Sequence, residues 1–79
     1  MKSLTRREII KRLTRRTLVQ LGLSPRYHGF SAIVEAIDMI ADDPEIKMMA
    51  VYQIAASRLN STPYRIERNI RHATFVIIQ

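Results

Sequence analysis

Apolar and polar positions recur along the chain with a helical period, and no stretch alternates as a strand would. Ile9, Ile10, Leu13, Thr17 and Leu21 fall at a spacing near 3.6. They predict an amphipathic helix over about residues 5–21, with Arg7, Lys11 and Arg15 opposite the apolar face. Its start is marked by Thr5-Arg6-Arg7-Glu8, a capping box in which hydroxyl and carboxylate satisfy free amides. Gly22 supplies the stop, because it enters the left-handed conformation without a steric cost. Leu23 to Gly29, with Ser24-Pro25 inside it, reads as a connector.

A second helix is expected over about 30–41, where Ile33, Ala36, Ile37 and Ile40 share a face. Asp43 can cap, Pro44 suits a first helical position and Glu45 suits the positive end of a helix dipole. A third helix is therefore placed at 45–59. Asn60-Ser61-Thr62 is a polar turn, and Thr62-Pro63 repeats the cap-then-proline signature, starting a fourth helix over 63–77. The expected architecture is all-α, four helices in one domain spanning residues 1–79.

The last two helices carry the functional signal. A turn of three to four residues joins them, which is the spacing of a helix-turn-helix. Ile66, Ile70, Ala73 and Ile77 lie within about 60° of one another at 100° per residue, so they form the core stripe. Tyr64, Arg65, Glu67, Arg68, Arg71 and His72 then occupy the outward face. In a helix-turn-helix the second helix enters the major groove with its N-terminal residues near base edges. Arg pairs bidentately with guanine and Glu accepts from cytosine N4. An ordinary solvated amphipathic helix would show the same polar face.

Charge narrows the choice. Residues 1–27 carry eight basic side chains against one acidic, residues 28–57 five acidic against one basic, and residues 58–79 four basic against one acidic. Two basic ends around an acidic middle suit a polyanion, nucleic acid being the commonest. The 79 residues contain no Cys and no Trp, so neither a disulfide nor a thiolate zinc site supplements a core of this size. No apolar run approaches the roughly 20 residues of a membrane helix, and none follows the first charges as in a signal peptide. A cytoplasmic, nucleoid-associated location is expected.

Enzyme chemistry finds little support. His28 and His72 are the only histidines and lack metal-ligand spacing with each other. Asp42, Asp43 and Glu45 are better explained as caps than as a carboxylate pair, and two glycines make no phosphate loop. No cofactor, metal or small-molecule substrate is expected.

The segment from Tyr52 to Ala73 resembles the signature of the C-terminal DNA-binding domain of stage-zero sporulation protein A, the sporulation response regulator of Firmicutes. Its core is Asn60-Ser61-Thr62, Arg65-Ile66-Glu67-Arg68 and Ile70-Arg71-His72-Ala73. The similarity continues upstream through Leu21-Gly22-Leu23, Gly29-Phe30, Glu35-Ala36-Ile37 and Met39, covering about residues 9–77. The resemblance implies that Arg65, Glu67 and Arg68, with Tyr64 beside them, face base edges. It implies backbone contacts for Arg71 and His72, and an AT-rich element containing a guanine, bound as a tandem dimer. Ser61 and Thr62 stand where a helix N-terminus can hold a phosphate. Arg58 is a further backbone candidate, and Lys11 and Arg15 are candidates for non-specific DNA contacts.

The sequence departs from that family in three respects. The 79 residues include no receiver domain, they stop at Gln79 where relatives continue with further helical structure, and the first sixteen hold seven Lys or Arg. The final turn is apolar nearly all round, so Phe75 and Ile78 are expected to be exposed and to mark a self-association surface. The leading expectation is a sequence-specific transcription regulator that binds double-stranded DNA. The alternatives are a protein-interaction module, pairing with itself or a related regulator through the apolar end, and a non-specific nucleic-acid binder driven by the first helix.

Overall fold

A computed structural model describes residues 3–78; Met1, Lys2 and Gln79 lie outside them. Four helices follow in order, α1 (Arg6–Gln20), α2 (His28–Asp42), α3 (Met48–Arg58) and α4 (Pro63–Ile77), and no strand occurs among the described residues. The capping box forms as the sequence predicts. Glu8 N–H donates to Thr5 Oγ1 at 3.1 Å, and Thr5 N–H donates to the Glu8 carboxylate at 3.3 Å. At the other end of α1, Gly22 takes φ +94°. Leu23 N–H then donates to Leu18 O and Gly22 N–H to Val19 O, each at 3.0 Å. This is a Schellman closure, and its apolar seal is Leu18 against Leu23, both buried.

α2 is the central element and packs against all three other helices. Small residues let its neighbours approach. Ala32, Ala36 and Met39 join Val51, Ala55, Ala56 and Ile66 in one core cluster across α2, α3 and α4. Phe30 and Val34 join Leu18, Leu23 and Ala73 in a second. The closest approach is at Gly29, where an added Cβ would collide with the Asn69 carbonyl oxygen and come within 2.5 Å of Ala73 Cβ.

Three expectations are corrected. α3 begins at Met48, not at residue 45. Asp43 accepts from Glu45 N–H through its carboxylate at 3.1 Å and from Ile46 N–H through its carbonyl at 3.0 Å. Asp-Pro therefore closes a turn, with Pro44 at the second position that its fixed φ favours. The second concerns the orientation of α1, the third the face of α2. Ile9, Leu13, Thr17 and Leu21 are exposed, while Thr14 and Leu18 are buried. The docked stripe is Arg7, Lys11, Thr14 and Leu18, at i, i+4, i+7 and i+11. α1 lies along α2, and α2 presents Glu35 and Asp38 there. Arg7 Nε lies 2.8 Å from Asp38 and Lys11 Nζ 2.9 Å from Glu35. On α2 itself, Ile37 and Ile40 are partly exposed, and Val34 and Met39 take the interior instead.

Candidate nucleic-acid interface

The turn from Leu59 to Thr62 aims α4. Asn60 adopts φ 52°, a left-handed position that Asn tolerates, and Ser61 N–H donates back to Ala56 O at 2.8 Å. Thr62 then caps α4, its Oγ1 accepting from Arg65 N–H at 3.2 Å, with Pro63 in the first turn. Ile66 and Ala73 are almost fully buried and Ile70 and Ile77 partly so. This stripe pins the rotation of α4 about its axis.

That rotation decides what α4 shows to solvent. At 100° per residue, Tyr64, Arg68 and Phe75 stand opposite the buried stripe. Arg65 and His72 lie on one flank, Glu67 and Arg71 on the other. Tyr64 is 69% exposed, and Arg65, Arg68, Arg71 and His72 are all exposed. Arg71 lies 3.3 Å from the half-buried Glu67 across one helical turn. Arg65 and Arg68 form no ion pair among the described residues. They keep all their guanidinium donors for a ligand.

Two of the sequence candidates are engaged within the fold. Arg58, the last residue of α3, lies 2.9 Å from Glu35 and 3.5 Å from Asp38. Lys11 is held by Glu35 as described above. Burial by itself would raise the Glu35 carboxyl, but hydrogen bonds from Lys11 and Arg58 outweigh it and hold the group below the usual carboxylate range. Glu8 is held low as well, by the hydroxyl and amide of Thr5. Arg15 is exposed on α1 and unpaired among the described residues. Ser61 is half-buried in the turn. Phe75 and Ile78 are 63% and 74% exposed, with Val76 beside them.

The sequence pattern did not single out the α1–α2 connector as part of this surface. The structure places Arg26 and His28, the latter the first residue of α2, beside Ser61 of the turn and Asn69 of α4. A connector has no periodicity to betray which helix it lies against.

No solved structure matches the chain. A family does, described as sporulation initiation factor Spo0A C terminal, and its match runs over residues 14–79. The matched span contains the whole of α2, α3 and α4 and the C-terminal part of α1, and so includes every candidate residue on α4. Four helices, a capped four-residue turn and an exposed basic face on α4 accord with that match: the chain belongs to the family of the Spo0A C-terminal domain, the DNA-binding effector domain of the sporulation regulator.

Proposed function

We propose that the chain is a sequence-specific DNA-binding domain of a transcription regulator, with α4 as its recognition helix. The observation that carries this reading is the exposed pair Arg65 and Arg68, without an ion pair among the described residues, with Tyr64, on the first two turns of a helix held by Ile66 and Ala73. Helix-turn-helix proteins read bases from that part of the second helix. Arg65 and Arg68 offer bidentate pairing to guanine, Glu67 an acceptor for cytosine, and Tyr64 an apolar and hydrogen-bonding edge. Arg71 exchanges Glu67 for a phosphate, His72 donates to the backbone on the opposite flank, and Ser61 and Thr62 place amides near a phosphate. Arg15 adds a sequence-independent contact. Arg58 and Lys11, engaged by the carboxylates of α2, hold the scaffold instead.

A second reading rests on the apolar end of α4. Phe75 and Val76 in the last turn and Ile78 at the C-cap are all exposed, and apolar patches mark interfaces. On this reading the chain pairs with itself or with a related regulator. The two readings separate in one assay, fluorescence anisotropy on a duplex carrying an AT-rich element with a guanine and on its scrambled counterpart. Arg68→Ala is expected to weaken the first by about 1–3 kcal/mol and to relax preference at one base pair. Equal loss on both duplexes refutes base reading by Arg68, and no preference in the unaltered chain refutes specific recognition.

A further inference from the structure

Beside α4 lies a cleft of about 290 Å³, formed by Arg26, His28 and Ser31 on one side and Ser61 and Asn69 on the other. No carboxylate lines it. Arg26 is exposed and its side chain forms no ion pair or hydrogen bond among the described residues, while its backbone N–H donates to Ser24 Oγ at 3.2 Å. Its guanidinium is therefore uncommitted, in contrast to Arg7, Lys11 and Arg58, which the α2 carboxylates hold. Pro25, Leu59 and Ile66 supply apolar wall, and the polar part of the lining is guanidinium, hydroxyl, amide and imidazole, all able to donate to an anion.

Position gives this chemistry a direction. Asn69 stands four residues after Arg65 and three before His72, on the same flank of α4. The cleft thus opens on the Arg65 and His72 side. An α-helix fills a major groove about 12 Å wide, so each of its flanks faces one phosphate wall. The cleft is also rigidly tied to α4. At Gly29 the backbones of α2 and α4 approach until no Cβ fits between Gly29, the Asn69 carbonyl and Ala73. His28 immediately precedes that contact and Arg26 lies two residues further back, so their placement follows α4.

We propose that this cleft seats one backbone phosphate of the DNA strand flanking the Arg65 and His72 side of α4. Arg26 supplies the charge, and His28, Ser31 and Ser61 supply donors. The contact carries no base information and sets the register in which Arg65 and Arg68 meet the base edges. The proposal rests on the DNA-binding reading above and adds to it a clamp from outside the helix-turn-helix.

The test uses the full chain with the element duplex and the scrambled duplex, titrated between 50 and 200 mM salt. Arg26→Ala is expected to weaken both duplexes alike and to make the slope of log affinity against log salt shallower by about 0.9, the value for one phosphate, which is about a threefold change across that salt range. Arg26→Lys retains the slope. Neutral methylphosphonates, placed singly along the flanking strand, should include one that reproduces the loss in the unaltered chain and adds nothing in Arg26→Ala. Loss confined to the element duplex overturns the phosphate role. So does an unchanged slope in Arg26→Ala while the unaltered chain binds DNA, and so do methylphosphonate and Arg26→Ala losses that simply multiply. An unaltered chain that binds neither duplex refutes the DNA reading, and the clamp with it.

Discussion

Gly29→Ala probes the contact on which the whole interface hangs. The added methyl would come within 2.5 Å of Ala73 Cβ and closer still to the Asn69 carbonyl oxygen, where real Cβ contacts essentially never fall below 3.0 Å. Neither neighbour is the flexible end of a long side chain, so relief requires α2 and α4 to separate. Overpacking of this kind costs about 1–3 kcal/mol. Opposing it, Ala is a better helix former than Gly by up to about 1 kcal/mol, less near a helix start. The packing cost wins, leaving a net loss of roughly 1–2 kcal/mol. In a domain of this size that lowers the midpoint of thermal unfolding by about 5–15 °C, measured by circular dichroism. Because α4 moves, affinity for DNA should fall as well, although no DNA-facing side chain is altered. Gly22→Ala is the contrasting control. It strains a φ of +94° but meets nothing within 4 Å. It should cost about 1–2 kcal/mol of stability and leave the folded protein's affinity intact. A Gly29→Ala variant as stable as the parent, binding DNA equally well, refutes the close-approach reasoning.

Two further outcomes follow from the ion network. The Glu35 and Glu8 carboxyls have lower pKa in the folded chain than in the unfolded one, so the folded state binds fewer protons at acid pH. Their stabilisation is complete above the ordinary carboxylate range and is lost as pH falls through their folded values; Glu35→Gln should flatten the acid limb of a urea-denaturation series, and an unchanged limb counts against the Lys11 and Arg58 bonds. Asp38 is buried, with Arg7 Nε at 2.8 Å and Arg58 at 3.5 Å. Arg7→Ala or Arg58→Ala leaves it one cation, whereas the double variant leaves a buried charge unpaired, so the two losses should combine with an excess of about 1–3 kcal/mol in a double-mutant cycle; strict additivity would sink the idea that the two cations share Asp38.

The helix inventory was legible because its punctuation is local. Thr5 and Glu8, Gly22, Thr62 and Pro63 act within a few residues of themselves, and each does in the fold what its chemistry suggests. The α4 stripe was also legible, since Ile66, Ile70, Ala73 and Ile77 are strongly apolar and have no competitor on that helix. The α1 face was not. Its docked stripe is Arg7, Lys11, Thr14 and Leu18, of which only Thr14 and Leu18 are buried, and the carboxylates of Glu35 and Asp38 on another helix hold its two cations. The start of α3 misled for a related reason: Asp-Pro serves a turn as well as a helix start, and the hydrogen bonds from Glu45 and Ile46 to Asp43 selected the turn.

For the function the division is similar. The sequence by itself determined the four-helix class, the helix-turn-helix spacing and the set of side chains on the outward face of α4, because periodicity and caps are properties of a single segment, and it carried the family through the residues of that motif. Tertiary structure alone decided which basic residues remain available. Lys11 and Arg58 are taken up by α2, Arg65 and Arg68 are left free, and Arg26 is carried from a featureless connector to the flank of α4. A cation's role depends on its distance to carboxylates remote in sequence, and only packing sets that distance.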